Sequence, residues 1–154
     1  FFFCYLKYRI CLILNHGQEI GNYVYVDDVA EGLQLVMDRG RPGEDYILGS
    51  ENVSLNEFYQ LLEEVSGRKA LKLKIRIPLA LMIAKLETIK ARSLGLYPLI
   101  TTGWVKTFLE NWAFSHRKAA EELGYQPRSL REGLHLTCEW LGYLNRKMGL
   151  ARNL

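Results

Sequence analysis

The sequence predicts an α/β fold. Short β-rich runs alternate with segments of helical periodicity, and Ser- or Asp-led capping signals and glycine stops separate them. In addition, Tyr46-Ile47-Leu48-Gly49 is apolar without polar alternation, the pattern of a strand covered on both faces.

The elements follow in order. Ile10–Leu14 reads as a strand closed by the turn Asn15-His16-Gly17. Residues 22–26, β-branched and aromatic, form a second strand. Asp27 then stands at an N-cap position, with Asp28 in a first turn where the helix dipole favours a carboxylate. That helix runs to about Arg39 with Val29, Leu33, Val36 and Met37 at core spacing, and Gly40-Arg41-Pro42-Gly43 stops it. Residues 46–49 are the third strand. Ser54-Leu55-Asn56-Glu57 is a capping box opening a helix that turns Phe58, Leu61, Leu62 and Val65 inward and ends at Gly67. Leu71–Ile75 alternates with period two, as a strand with one wet face does. Pro78 suits the first turn of a long apolar helix ending near Leu94, and Gly95-Leu96-Tyr97-Pro98 is a turn. A helix over about 102–110 and a short strand at 112–114 come next. Ser115 caps a helix that ends before Gly124. A second capping box, Ser129-Leu130-Arg131-Glu132, opens the last helix, which carries Leu134, Cys138, Trp140, Leu141 and Leu144.

At 154 residues, with 49% hydrophobic and 24% charged residues, the chain has the composition of one globular domain and not of a disordered one. Twenty basic residues against seventeen acidic give +3, too weak a bias to argue for nucleic acid. Cys4, Cys11 and Cys138 form no C-x-x-C pair, and His16, His116 and His135 lie far apart in sequence. No zinc site is expected, and a reduced, cytoplasmic compartment is. The opening apolar run is interrupted by Lys7 and Arg9 and is too short to cross a bilayer. The chain starts with Phe1 inside an apolar element, which reads as the back part of something longer.

Three strings in series say more. NYVYVDDVAEGLQLVM, GEDYILGSENVSLNEFYQLLEEVSG and AFSHRKAAEELGYQPRSLREGLHLTCEWL together resemble the C-terminal half of the NAD(P)-dependent epimerase/dehydratase family, the extended short-chain dehydrogenases. The resemblance implies three segments: a poorly matching remnant at 1–16, a C-terminal substrate-binding portion at 17–144, and a polar tail at 145–154. It implies the last strand of a Rossmann-type sheet plus a small, mostly helical substrate domain. The parent enzyme would transfer hydride between NAD or NADP and a carbonyl or alcohol. Its missing N-terminal Rossmann half would be the partner, and without it the chain would be inactive and prone to self-association.

No glycine-rich turn joins a strand to a helix in the expected pattern, so no cofactor-binding residue is assigned. Tyr143 and Lys147 stand four apart, like the family's catalytic pair, but they follow the last matching string on a polar tail, and the pair reads as a coincidence. No catalytic residue is assigned either. Asp27-Asp28 is read as a junction of strand and helix, not as an acid/base dyad. Ser54, Ser115, Ser129 and Asp27 are structural caps, and Ser115-His116 is no nucleophile–base pair.

The family's nucleotide-sugar epimerases place a diphosphate-holding Arg where this sequence has Gly21. Glycine neutralises no phosphate, which points away from nucleotide sugars and toward a reductase-like or hydroxysteroid-dehydrogenase-like branch. Asn22 and Tyr23 on that strand, with Tyr97, Trp104 and Phe108 near the Pro98 turn, are the candidate substrate contacts. Alternative readings are a non-catalytic interaction module, or a peripheral membrane-binding domain built on residues 68–96.

Overall fold

Four strands and six helices are laid out among the described residues. They are β1 (Ile10–Leu14), β2 (Ile20–Tyr23), α1 (Val26–Arg39), β3 (Glu51–Ser54), α2 (Leu55–Ser66), β4 (Leu71–Ile75), α3 (Ile77–Leu94), α4 (Thr102–Thr107), α5 (Arg117–Leu123) and α6 (Leu130–Lys147). The computed structural model describes residues 5, 8–98 and 100–147, the side chains of 143–147 excepted, so Tyr143, Leu144 and Lys147 lie outside the described side chains. β1 and β4 pair in parallel, with Ile10 opposite Leu71, and β2 and β3 pair antiparallel, with Asn22 opposite Asn52.

The local signals place most helix ends. At α2 the Ser54 hydroxyl accepts from Glu57 N–H at 3.2 Å, and the Glu57 carboxylate accepts from Ser54 N–H at 2.7 Å. Gly67 and Gly124 end α2 and α5 at φ 66° and 78°, where a side chain would be strained. At α6 the Ser129 hydroxyl accepts from Glu132 N–H at 3.3 Å, while the Glu132 carboxylate lies toward Arg128. α5 starts at Arg117 with His116, not the expected Ser115, at the cap position; Ser115 stands one residue earlier, its hydroxyl accepting from the Arg117 N–H at 3.3 Å.

Further expectations are corrected. Asp27 is not the cap of α1: the extended backbone ends at Tyr25, which holds the cap position, and Asp27 lies inside the first turn. The acid that matters there is Asp28, 2% exposed, because Arg128 reaches it from the far end of the chain. Residues 46–49 form no strand, since no strand among the described residues lies alongside to complete a ladder, and the strand begins at Glu51 instead. Residues 112–114 likewise belong to no strand ladder. α1 buries Asp28 and Gly32, leaving Leu33 and Met37 exposed at 55% and 85%. Gly32 faces inward because a Cβ there would stand 2.8 Å from Leu48 and 3.0 Å from Tyr125. Trp140 on α6 is exposed as well.

Three apolar clusters hold the elements. The largest joins Tyr5, Cys11 and Ile13 to Phe58, Tyr59 and Leu62 of α2 and Leu130 and Leu134 of α6. A second sets Ala80 and Ala84 of α3 against Leu14 and Val105. The third packs Ala119, Leu123 and Tyr125 under Leu35 and Val36 of α1, with Tyr46 and Leu48 alongside. There the Tyr125 hydroxyl is buried without a hydrogen-bond partner among the described residues, and burial pushes its phenol up to about 12. An unfolded phenol titrates near ~10. The stability carried by this neutral phenol is therefore whole below that pH and drains away as pH rises toward about 12. Tyr125→Phe is expected to flatten this alkaline decline, and to leave neutral stability unchanged or up to ~1 kcal/mol higher. Urea unfolding at about pH 8 and about pH 11 checks it.

Candidate functional site

The site is a cavity of about 270 Å³ walled by β2 on one side and by the end of α4 with the chain after it on the other. β2 supplies Ile20, Gly21 and Tyr23, and the opposite wall supplies Thr107, Phe108, Glu110 and Trp112. Backbone pairing closes the far side: Trp112 N–H donates to the Ile20 carbonyl at 2.7 Å, and Ile20 N–H donates to Asn111 Oδ1 at 2.9 Å. The Trp112 indole N–H donates to the Thr107 carbonyl at 2.8 Å, which fixes the ring against α4.

The lining is aromatic and aliphatic, and its charged members are carboxylates, Glu19 and Glu110. No cation is among the described lining residues. Gly21 leaves its position open. A Cβ there would stand 3.0 Å from the Tyr23 ring and 3.1 Å from its hydroxyl, so any larger residue would displace Tyr23. Tyr23 stacks on Phe58 with ring centroids 4.5 Å apart, and burial pushes its phenol up, leaving it a protonated hydrogen-bond donor at neutral pH. Such a pocket suits an apolar ligand carrying a carbonyl or hydroxyl.

Of the substrate contacts expected from sequence, Tyr23 and Phe108 meet at this cavity. Trp104 packs on Phe108 at 4.4 Å but lines a separate crevice with Leu12, Ile83 and Val105. Tyr97, 97% exposed, stands away from both. Asn22 is spent on the scaffold. Its amide donates to Asn52 Oδ1 at 2.8 Å and its oxygen accepts from Ser50 N–H at 3.2 Å. Asn52 in turn donates to the Phe114 carbonyl at 2.8 Å and accepts from Phe114 N–H at 3.0 Å. The two asparagines therefore bracket the 111–114 wall. Sequence reasoning missed this role of Asn52 and Asn111, because it exists only once β2, β3 and the 111–114 segment are brought together.

The remaining chemistry-bearing groups are structural. Asp28 accepts the Arg128 N–H at 2.9 Å and the Arg128 guanidinium as well, and that guanidinium also reaches Glu31 at 3.4 Å and lies over the Tyr25 ring. Burial pushes the Cys11 thiol up to about 11, which makes it a poor nucleophile. No group of three His, Cys, Asp or Glu among the described residues could hold a metal ion. The strand-to-helix junctions do not fit a dinucleotide: β3 enters α2 through Ser54 and β4 enters α3 through Arg76, where a pyrophosphate needs glycine backbone.

No family model matches the chain. A putative dihydroflavonol 4-reductase from Synechocystis is 32% identical over 140 residues, which cover 88% of this chain and 40% of that protein. The chain is related to the extended short-chain dehydrogenases. The crystal structure of gox2253 superposes with a TM-score of 0.62 at 31% identity, over 92% of this chain and 40% of the other. UDP-glucuronic acid 4-epimerase from Bacillus cereus, solved with UDP-glucuronic acid and NAD, shares the fold at a TM-score of 0.56 and 22% identity, over 86% and 35%. The chain thus spans about 40% of the length of the curated relatives it matches. That share agrees with a C-terminal portion of a Rossmann-type enzyme, and the epimerase structure holds NAD. No helix among the described residues is long and apolar enough to cross a membrane.

Proposed function

We propose that this chain is the C-terminal, substrate-binding part of an NAD(P)-dependent reductase or dehydrogenase, acting on an apolar carbonyl or alcohol and not on a nucleotide sugar. The cavity at β2 supports this reading: its lining is Tyr23, Phe108 and Trp112 with two carboxylates, and Gly21 stands where a phosphate-holding cation would be. Burying a diphosphate there would set its charge beside Glu19 and Glu110 without compensation. The nucleotide-binding half would cover the exposed Leu33–Met37 stripe of α1 and the unladdered segment 46–49. The chain alone holds neither cofactor nor turnover.

Tryptophan fluorescence of the chain titrated with a dihydroflavonol and with UDP-glucose tests the substrate class. Quenching by the dihydroflavonol, weakened on the order of tenfold by Phe108→Ala, is the expected result. Saturable micromolar binding of UDP-glucose overturns it. Calorimetry with NADPH is expected to register no binding, and micromolar affinity would contradict the assignment of the cofactor to the other half.

A further inference from the structure

Helix α3 is built inside out. The residues it buries are Ala80, Ala84 and Ala91, while Leu79, Met82, Ile83, Leu86, Ile89 and Leu94 are exposed. At 3.6 residues per turn these six share one side of the helix, roughly opposite the alanines, in a stripe along its ~27 Å length. The alanines let α3 lie close to Leu14 and Val105, and the large side chains are left in solvent, with Leu86 58% and Ile89 63% exposed. A stripe of this kind marks an interaction surface.

The charges around it select the partner. Residues 74–96 hold five cations (Lys74, Arg76, Lys85, Lys90 and Arg92) against one carboxylate, Glu87, whereas the rest of the chain holds fifteen against sixteen. Glu87 is engaged with Lys90 at 3.1 Å. Lys74 and Arg76, with His16, line a cleft of about 430 Å³ where α3 begins. The helix is too weakly apolar to span a bilayer.

We propose that α3 lies in the interface of an anionic lipid membrane, its Leu79–Leu94 stripe among the acyl chains and its flanking cations on headgroup phosphates. A second copy docked on the same stripe would bring two cationic belts together. A protein lid would bury Lys90, which falls within the stripe; in a lipid interface its four-carbon stem lies along the chains and its ammonium reaches the headgroups. Tyr97, just past the helix and almost wholly exposed, is an aromatic of the kind enriched at that depth.

Flotation of the full chain through a density gradient tests the proposal, with vesicles of phosphatidylcholine and phosphatidylserine mixed three to one and of phosphatidylcholine alone; aggregates sink. The chain is expected to rise with the mixed vesicles, and less so as salt is added. The double variant Leu86→Glu/Ile89→Glu is expected to bind on the order of tenfold more weakly with an unchanged thermal melt, both residues being exposed. Lys85→Gln and Arg92→Gln are each expected to weaken binding about fivefold. Failure to rise with the mixed vesicles overturns the proposal, as does equal binding by the double variant. Equal binding to phosphatidylcholine alone overturns it too. A dimer in sedimentation velocity that the double variant dissolves would assign the stripe to a second copy, against the proposal.

Discussion

Asp28→Ala is expected to destabilise the fold by about 2–3 kcal/mol. Asp28 is the buried partner of both the Arg128 backbone N–H and its guanidinium, and it fastens the start of α1 to the start of α6. Removing the carboxylate strands the backbone donor outright. The guanidinium loses less, because the Arg128 side chain is 31% exposed and keeps Glu31 and Glu132 nearby. Asp28→Asn retains an acceptor for the N–H and is expected to cost about half as much. Asp27→Ala, on the exposed side of the same turn, is expected to shift stability by less than about 0.5 kcal/mol. Urea denaturation of the three variants separates these outcomes. A larger loss at position 27 than at 28 would restore the capping role that the sequence suggests for Asp27.

Leu62→Ala is expected to cost about 3 kcal/mol. Leu62 has no exposed surface and lies in the cluster where β1, α2 and α6 meet, between Phe58 and Tyr59 on its own helix and Cys11, Ile13 and Leu134 beyond it. Ring stacking of Tyr23 on Phe58 couples this cluster to the β2 cavity, so the cavity wall is expected to loosen with it. Thermal melting and the dihydroflavonol titration of the same variant check both effects. A loss below about 1 kcal/mol would show that the site collapses around the deletion.

What could be read in the sequence was local. The Ser54 capping box, the Ser129 cap and the glycines after α2, α3 and α5 act within one turn, so residue type and spacing specify them. Asp27 was confused with Asp28 because the group that separates their roles, Arg128, lies a hundred positions away. Residues 46–49 have strand chemistry but no strand beside them, and pairing, not propensity, makes a strand. The first turns of α3, Pro78–Ala84, are apolar on every side, so periodicity could not tell that alanines would face inward and the larger side chains outward. At the cavity, Tyr23 and Phe108 were legible as aromatics flanking an expected cleft. The Asn22–Asn52 bracket was not, since it depends on which residue of β3 lies opposite which of β2.

The parallel pairing of β1 with β4 also dictates an order of assembly. Ile10 meets Leu71 only across an intervening β2, α1, β3 and α2, so this ladder closes a loop of about sixty residues. Closing that loop from an open chain costs entropy that a few strand hydrogen bonds return only once α2 is already in place. β1, the first of the described strands, is therefore expected to dock last, onto a surface that α2 and β4 have prepared.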